Sequence, residues 1–214
     1  MRDVRAREFL LFVSGLLPLL TIPWLGFTWL IYTLFAFFYR FRERFWATGW
    51  FDGGLGRYVL TGLTSAYLLE ILAVIDNLKR EPSERILLNP SPPVDIYLAL
   101  AYYTPFILYW GLVLRKYDYS PRDVFILGGV SGIFMEQTGA VFLSLNILAW
   151  FYVFLVYGSY KAIPALLHWQ SLRKNRRKNL STENKILLGM GVEALAFVSA
   201  ALLLKVFALI GGIK

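Results

Sequence analysis

The chain has 214 residues, of which 57% are hydrophobic, 17% aromatic and 17% charged. Soluble domains carry about 25% charged residues, so this composition excludes an ordinary soluble domain and indicates an integral membrane protein. The formal net charge is +8. The basic residues lie in short loops between apolar segments, where orientation in a membrane explains them, and no nucleic-acid partner is expected. Scarce cysteine and histidine with many arginines are typical of a thermophilic source.

The first hydrophobic segment, residues 9–39, contains no charged residue. It is longer than the apolar region of a secretory signal peptide, which has about 7 to 15 residues, so we expect it in the mature protein. Two prolines and Gly26 predict a break between Pro18 and Gly26, because proline removes a backbone donor. Two helices of about 15 residues would be roughly 22 Å long, which favours a re-entrant or tilted hairpin. A single straight span is the alternative.

The rest of the chain divides into an interfacial stretch and five apolar segments. Residues 40–57 alternate arginine with phenylalanine and tryptophan, which is typical of a membrane interface. Each apolar segment is close to the length of about 20 residues that a transmembrane helix needs. These segments are residues 58–75, 96–114, 124–145, 147–167 and 186–210. The predicted fold is therefore all-α, a single polytopic helical bundle with six or seven membrane segments.

The distribution of Lys and Arg predicts the orientation, because both residues accumulate in cytoplasmic loops. With an N-terminal hairpin, 16 of them fall on the cytoplasmic side and four outside, namely Lys79, Arg80, Arg85 and Lys214. Lys161 and Lys205 lie near predicted span ends, where their side chains can snorkel to the interface. We therefore expect a multi-pass plasma membrane protein with the basic loops and the N-terminus cytoplasmic and the C-terminus outside. A single first span with the N-terminus outside remains open, since it places 13 inside and 7 outside.

Two predicted spans share the pattern G-x-x-S-[AG]-x-x-x-E. At helical spacing its residues lie on one face, and the small ones predict close helix packing. Each glutamate lies 12 residues into its predicted span, which places both at a depth of roughly 18 Å, slightly past the midplane. Either an internal repeat of helical hairpins or the general abundance of small residues in membrane helices explains the match. The matched residues are Gly62, Ser65, Ala66 and Glu70 in one span and Gly128, Ser131, Gly132 and Glu136 in the other.

Acidic residues inside a membrane are costly and indicate function by default. With no Lys or Arg expected at the same depth, two facing carboxyl groups would share a proton or hold a cation. The alternative is that each glutamate only fixes helix packing through a hydrogen bond. Tyr67, Tyr102, Tyr103, Tyr109 and Trp110 are candidates either for the same cavity or for interface belts. The predicted substrate or ion site consists of Glu70, Glu136, Ser65, Ser131, Asn77 and Gln137, with the shallower Glu193.

Residues typical of self-contained catalysis are few. The only histidine, His168, is expected at the surface of the inner interface. The chain has no H-E-x-x-H, G-x-S-x-G or P-loop motif, and Asp76 and Asp95 are expected at the loop ends of spans. With no cysteine there are no disulfides or thiolate ligands, and neither a metal nor a cofactor is expected.

Three functions fit this sequence. The first is a small secondary transporter or channel-like protein with a midplane carboxylate site for protons or cations, gated or lined by the broken first segment. The second is a membrane-embedded enzyme that acts on a lipid or isoprenoid substrate through paired glutamates. The third is a non-catalytic subunit of a membrane complex. The expected partners are membrane lipids, with either a homo-oligomer or other membrane subunits.

Overall fold

The computed structural model describes residues 2–173 and 178–213, without the side chains of residues 2–5, 7 and 173. Part of the predicted basic loop, residues 174–177, and Lys214 lie outside the described residues. The described part is helical and contains no strand. Its helices are α1 (Arg2–Leu25), α2 (Leu30–Ala47), α3 (Leu55–Asn77), α4 (Pro92–Lys116), α5 (Pro121–Met135), α6 (Ala140–Leu143), α7 (Ile147–Leu167), α8 (Trp169–Arg173) and α9 (Thr182–Ile210).

Six helical segments are long and apolar enough to cross a membrane, which confirms the predicted all-α bundle. The predicted span 147–167 matches α7 at both ends, whereas the others begin earlier than expected. For α4 and α5 the reason is that proline is tolerated in a first helical turn, where its missing N–H has no partner in any case. Pro92 and Pro121 therefore start α4 and α5, and Ser120 with Asp123 forms a capping box at the second of these. The six segments are Glu8–Leu25, Leu55–Asn77, Pro92–Lys116, Pro121–Leu143, Ile147–Leu167 and Thr182–Ile210.

The first hydrophobic segment forms a helical hairpin in which α1 packs against α2. An ion pair of 2.6 Å joins Glu8 to Arg42 at the open end of this hairpin. The predicted break between Pro18 and Gly26 falls at the end of that range, because α1 continues through both prolines to Leu25. The chain reverses at Gly26 with a φ of +82°, a conformation that glycine adopts without steric cost. The arms are consequently 24 and 18 residues long rather than about 15.

The tip of the hairpin is fixed to the far end of α3 by Asp76. Its carboxylate accepts hydrogen bonds of 2.6 and 2.7 Å from the backbone N–H groups of Phe27 and Thr28, where α2 begins. This carboxylate provides acceptors for two backbone N–H groups of the turn that precedes α2. The hairpin therefore reaches as far along the bundle as α3 does. The predicted interfacial stretch 40–57 is divided, since α2 continues to Ala47 and α3 begins at Leu55.

Helix α7 lies at the centre of the bundle and contacts α2, α3, α4 and α5. Its interface with α5 is the most extensive in the described part of the chain. Glycines bring the two backbones close: a Cβ atom on Gly158 would lie 2.6 Å from the backbone oxygen of Phe125, and one on Gly129 would lie 2.7 Å from the backbone oxygen of Phe154. By contrast α1 packs at the periphery, and most of its apolar side chains are exposed.

The predicted span 124–145 corresponds to the apolar segment Pro121–Leu143, but it is not one continuous helix, because α5 ends at Met135. A 3₁₀ turn, Glu136–Gly139, follows and leads into the short helix α6. Within the turn Gln137 and Thr138 have φ angles of +50° and +55°. This conformation is uncommon for any residue except glycine, and most of all for β-branched threonine. Such strained residues concentrate at functional sites, so the break in α5 marks a place to look for one.

Candidate functional site

A cavity of about 450 Å³ lies beside the break in α5. Cavities that bind small molecules have volumes of about 300 to 1,000 Å³, so this one is large enough for a solute. Its walls come from the hairpin tip, α3, the loop before α4, α4, the end of α5, α7 and α9. Several lining residues are exposed and mark its mouth, namely Ile86, Leu88, Gln137, Thr138 and Ala201. The remaining wall is mostly aliphatic and aromatic, with two carboxyl groups.

Glu70 is one of these carboxyl groups. It lies within the continuous helix α3, and its side chain is buried with 6% of its surface exposed. The hydroxyl of Tyr103, from α4, donates a hydrogen bond of 2.6 Å to Glu70 Oε2. Both residues line the cavity. Burial with a single tyrosine donor stabilises a carboxylate poorly, so Glu70 is suited to holding a proton or a cation.

Asp95 is a third acid at this site, which the sequence interpretation left at a loop end. It lies in the first turn of α4 and has no exposed surface. Its carboxyl group lies within hydrogen-bonding range of the Glu70 carboxyl group. Asp95 Oδ1 accepts hydrogen bonds from the backbone N–H groups of Leu88 at 2.7 Å and Asn89 at 3.2 Å. Asp95 Oδ2 is one of the buried oxygens in the described residues that has no donor.

Glu136 is the second carboxyl group that lines the cavity. It is the C-cap residue of α5, at the point where the helix breaks. The hydroxyl of Tyr157, from α7, donates a short hydrogen bond to Glu136 Oε2. Glu70 and Glu136 each follow the first residue of their helices by 15 positions, from Leu55 and from Pro121. This equal spacing places both acids at the level of one cavity.

The structure brings together only part of the predicted ion site. Glu70, Glu136 and Gln137 line the cavity, as do Tyr102 and Tyr103 from the set of candidate aromatic residues. The described residues that line the cavity do not include Ser65, Ser131, Asn77 or Glu193.

These four residues have other partners. Ser65 donates to the backbone oxygens of Gly62 and Tyr160 at 2.8 and 3.0 Å, so it joins α3 to α7. Asn77 ends α3, and its Oδ1 accepts from the backbone N–H of Ile86 at 2.9 Å. Asn77 therefore holds the loop that forms one wall of the cavity.

Glu193 belongs to a buried ion pair that the sequence interpretation missed. Lys161 Nζ lies 2.6 Å from Glu193 Oε2, and neither side chain is exposed. Trp110 Nε1 donates to Glu193 Oε1 at 2.7 Å, and Lys161 also donates to Ser131 Oγ at 3.2 Å. The prediction that Lys161 snorkels to the interface was therefore wrong. The physical reason is that α7 is central and offers Lys161 no path to the interface.

His168 is buried rather than at the surface, with 1% of its area exposed. Its Nε2 and the Thr61 hydroxyl are 2.9 Å apart, and its ring packs edge-on against Phe51 and Tyr58. Burial lowers the pKa of His168, so the imidazole is neutral at pH 7. The prediction of a surface histidine was wrong, because α8 and the start of α3 enclose this corner of the bundle.

The four small residues predicted to pack helices all lie at helix contacts. A Cβ on Gly62 would lie 2.3 Å from Ile107 of α4, and Ala66 has no exposed surface. On α5, a Cβ would lie 2.8 Å from the Lys161 side chain at Gly128 and 2.5 Å from the Tyr157 side chain at Gly132. An internal repeat stays a prediction.

The fold and the six apolar segments define a multi-pass integral membrane protein built from α-helices. No protein-family model, curated protein or solved structure matches this chain.

Proposed function

We propose that this protein is a small secondary transporter or channel-like protein, and that its cavity binds protons or cations between Glu70 and Glu136. The observation that carries the proposal is the end of α5 in the cavity wall, with a carboxyl group attached to it. The last carbonyl groups of a helix carry a partial negative charge. The helix end and Glu136 therefore act together in favour of a positive charge in the cavity.

Discontinuous helices recur in secondary transporters, where the unwound segment and the helix end bind the coupling ion near the midplane. The break at Glu136–Gly139 has this form, and its left-handed residues Gln137 and Thr138 lie at the mouth of the cavity. Glu70 faces the same space from α3. The site thus has one acid on a continuous helix and one acid at a break, which is an arrangement that can change geometry around a bound ion.

Flux measurements in proteoliposomes test this function. Vesicles with an enclosed pH-sensitive dye are given an inward gradient of Na⁺ or K⁺ and a membrane potential, and proton movement is recorded. We expect protein-dependent proton movement with the wild type. Glu70→Gln and Glu136→Gln should each reduce it close to the rate of empty vesicles, because each removes a titratable group from the cavity without changing its shape.

Glu183→Gln is the matched control, since Glu183 is exposed in the first turn of α9. This variant should transport at the wild-type rate. Equal rates for the wild type and both cavity variants, in vesicles that contain equal amounts of folded protein, would overturn the proposal. Wild-type vesicles that behave like empty vesicles with both cations would also overturn it.

A second candidate is an enzyme that acts on a lipid or isoprenoid substrate. The observation in its favour is the mostly apolar wall of the cavity, to which α9 contributes Phe197, Ala201 and Leu204. An apolar chain fits such a wall, and Glu70 and Glu136 could then act as general acid and base. Mass spectrometry of vesicle lipids before and after incubation separates the two functions. An enzyme changes the lipids in a way that Glu136→Gln abolishes, whereas a transporter leaves them unchanged.

A further inference from the structure

We propose that Glu70 and Asp95 form a proton-binding site in which the two carboxyl groups share one proton, and that Asp95 connects this proton to the loop that closes the cavity. This proposal rests on the proposed function and deepens it, because it names where the proton binds. Asp95 was not among the predicted site residues, and its placement beside Glu70 comes only from the packing of α4 on α3.

The hydrogen bonds of the four carboxyl oxygens carry the proposal. Glu70 Oε2 accepts from Tyr103, and Asp95 Oδ1 accepts from the backbone N–H groups of Leu88 and Asn89. Asp95 Oδ2 is buried and receives no hydrogen bond, although the Glu70 carboxyl group lies within hydrogen-bonding range. Two ionised carboxylates have no donor to offer each other, whereas a carboxyl group that keeps its proton has one O–H. One proton between Glu70 and Asp95 therefore completes the network.

The geometry also assigns the proton to Glu70. Asp95 already accepts from two backbone N–H groups, whereas Glu70 accepts from one tyrosine and is the member of the pair that lines the cavity. Glu70 then donates through Oε1 to Asp95 Oδ2. The proton leaves or arrives as H⁺ on Glu70 Oε1, and no bond between heavy atoms changes.

The charged and titratable groups around the pair do not provide an alternative counter-charge. Tyr67 lies on the same helix as Glu70, Tyr103 and Asp95 come from α4, Glu136 comes from the end of α5 and Tyr160 comes from α7. None of these named groups is a cation, and Lys161 is already paired with Glu193. The loop before α4 also contains two arginines: Arg80 is exposed, and the Arg85 guanidinium donates to the backbone oxygens of Arg80 and Pro90. A proton is thus the positive charge that the described surroundings leave to the pair.

Asp95 connects the proton to the cavity wall. Ile86, Leu87 and Leu88 line the cavity, and the loop that contains them is held by Asp95 at Leu88 and by Asn77 at Ile86. When Glu70 loses its proton, Asp95 loses its donor and faces a second negative charge. The N–H groups of the loop, at Leu88 and Asn89, are then among the few donors left near the two negative charges. The loop, and with it the cavity wall, must therefore rearrange when the proton leaves.

Infrared spectroscopy of the purified protein tests the proton site without any transport measurement. A protonated carboxyl group has a carbonyl band that a carboxylate lacks. At pH 7 we expect such a band in the wild type, its loss in Glu70→Gln and a shift of its frequency in Asp95→Asn, where an amide replaces the carboxylate partner. The glutamine of Glu70→Gln can still donate to Asp95 and accept from Tyr103, so this variant should fold.

The matched control uses the other cavity acid. The carbonyl band that depends on Glu70 should still be present in Glu136→Gln. It should be absent from the double variant Glu70→Gln/Glu136→Gln. An unchanged carboxyl region in Glu70→Gln, or a frequency that Asp95→Asn does not move, would overturn the proposal. If Glu70→Gln does not fold, the shift in Asp95→Asn decides alone. A carbonyl band without any proton flux would support the proton site and refute the transport function. Proton flux without the band would support the transport function and refute the proton site.

Discussion

Lys161 and Glu193 form an ion pair in which both side chains are fully buried, and the pair joins α7 to α9. Removing one member of such a pair leaves an uncompensated charge and costs about 3–5 kcal/mol, whereas removing both charges is often neutral. We expect Lys161→Met to be strongly destabilised in detergent. The double variant Lys161→Met/Glu193→Gln should recover most of that loss, because the glutamine oxygen can still accept from Trp110.

Thermal unfolding of the single and double variants in the same detergent measures this effect. Equal midpoints for the single and double variants would contradict it, because they would show that the charge on Glu193 is not what the lysine compensates. A Lys161→Met variant that unfolds at the same temperature as the wild type would lead to the same conclusion.

The sequence could predict the acids at residue scale but not their partners. Glu70 and Glu136 stand out because each interrupts an apolar segment. Asp95 stands at the start of its helix and looked like a loop residue, since no pattern in one chain shows that α4 brings it against Glu70. Lys161 was misinterpreted for a related reason. Distance from a span end predicts snorkelling only for a helix that faces lipid, and α7 does not.

At the scale of helices, the contact between α5 and α7 depends on close backbone approach. An alanine at position 158 would place its Cβ 2.6 Å from the backbone oxygen of Phe125, which a side-chain rotation cannot relieve. We expect Gly158→Ala to lower the stability in detergent by about 1–3 kcal/mol, the usual cost of overpacking. Chemical denaturation followed by tryptophan fluorescence measures the change.

Gly191→Ala is the control for this substitution. Gly191 lies in α9, and a Cβ there would contact no described atom within 4 Å. Because alanine favours helix more than glycine does, this variant should be as stable as the wild type or slightly more stable. Destabilisation by Gly191→Ala equal to that by Gly158→Ala would show that the loss is not specific to the α5–α7 contact.

The break in α5 is a helix boundary that the sequence indicated only in part. Gly139 is a residue that commonly ends a helix, so a boundary near it was available as a signal. The apolar residues on both sides nevertheless read as one span, since the hydropathy of 124–145 gives no sign of an interruption. In the N-terminal hairpin the predicted range did contain the turn, which lies at Gly26, although the helix accommodates both prolines. The hydrogen bonds of Asp76 to Phe27 and Thr28, which hold this turn against α3, could not be predicted from one chain.

For the whole molecule, alternation of helix direction explains why one cavity contains two acids from distant parts of the chain. Consecutive long helices run in opposite directions, so α3 and α5 run the same way, and equal spacing from their starts brings Glu70 and Glu136 to one level. The sequence predicted equal depths for the two acids from the span starts, and both acids line one cavity; their depth in the membrane stays a prediction. It could not predict that Glu193, on α9, lies apart from the cavity in an ion pair. The cytoplasmic position of the basic loops and the identity of the membrane stay predictions.

Labelling with dicyclohexylcarbodiimide, an apolar reagent that attacks protonated carboxyl groups, tests most directly whether Glu70 and Glu136 belong to one reachable proton or cation site. We expect peptide mass spectrometry to find the reagent on Glu70 or Glu136, and labelling to fall as the pH rises, because the reactive form is protonated. Glu193 should remain unlabelled, since its side chain is fully buried and paired with Lys161. Labelling of Glu193 with neither Glu70 nor Glu136 modified would contradict the proposed site.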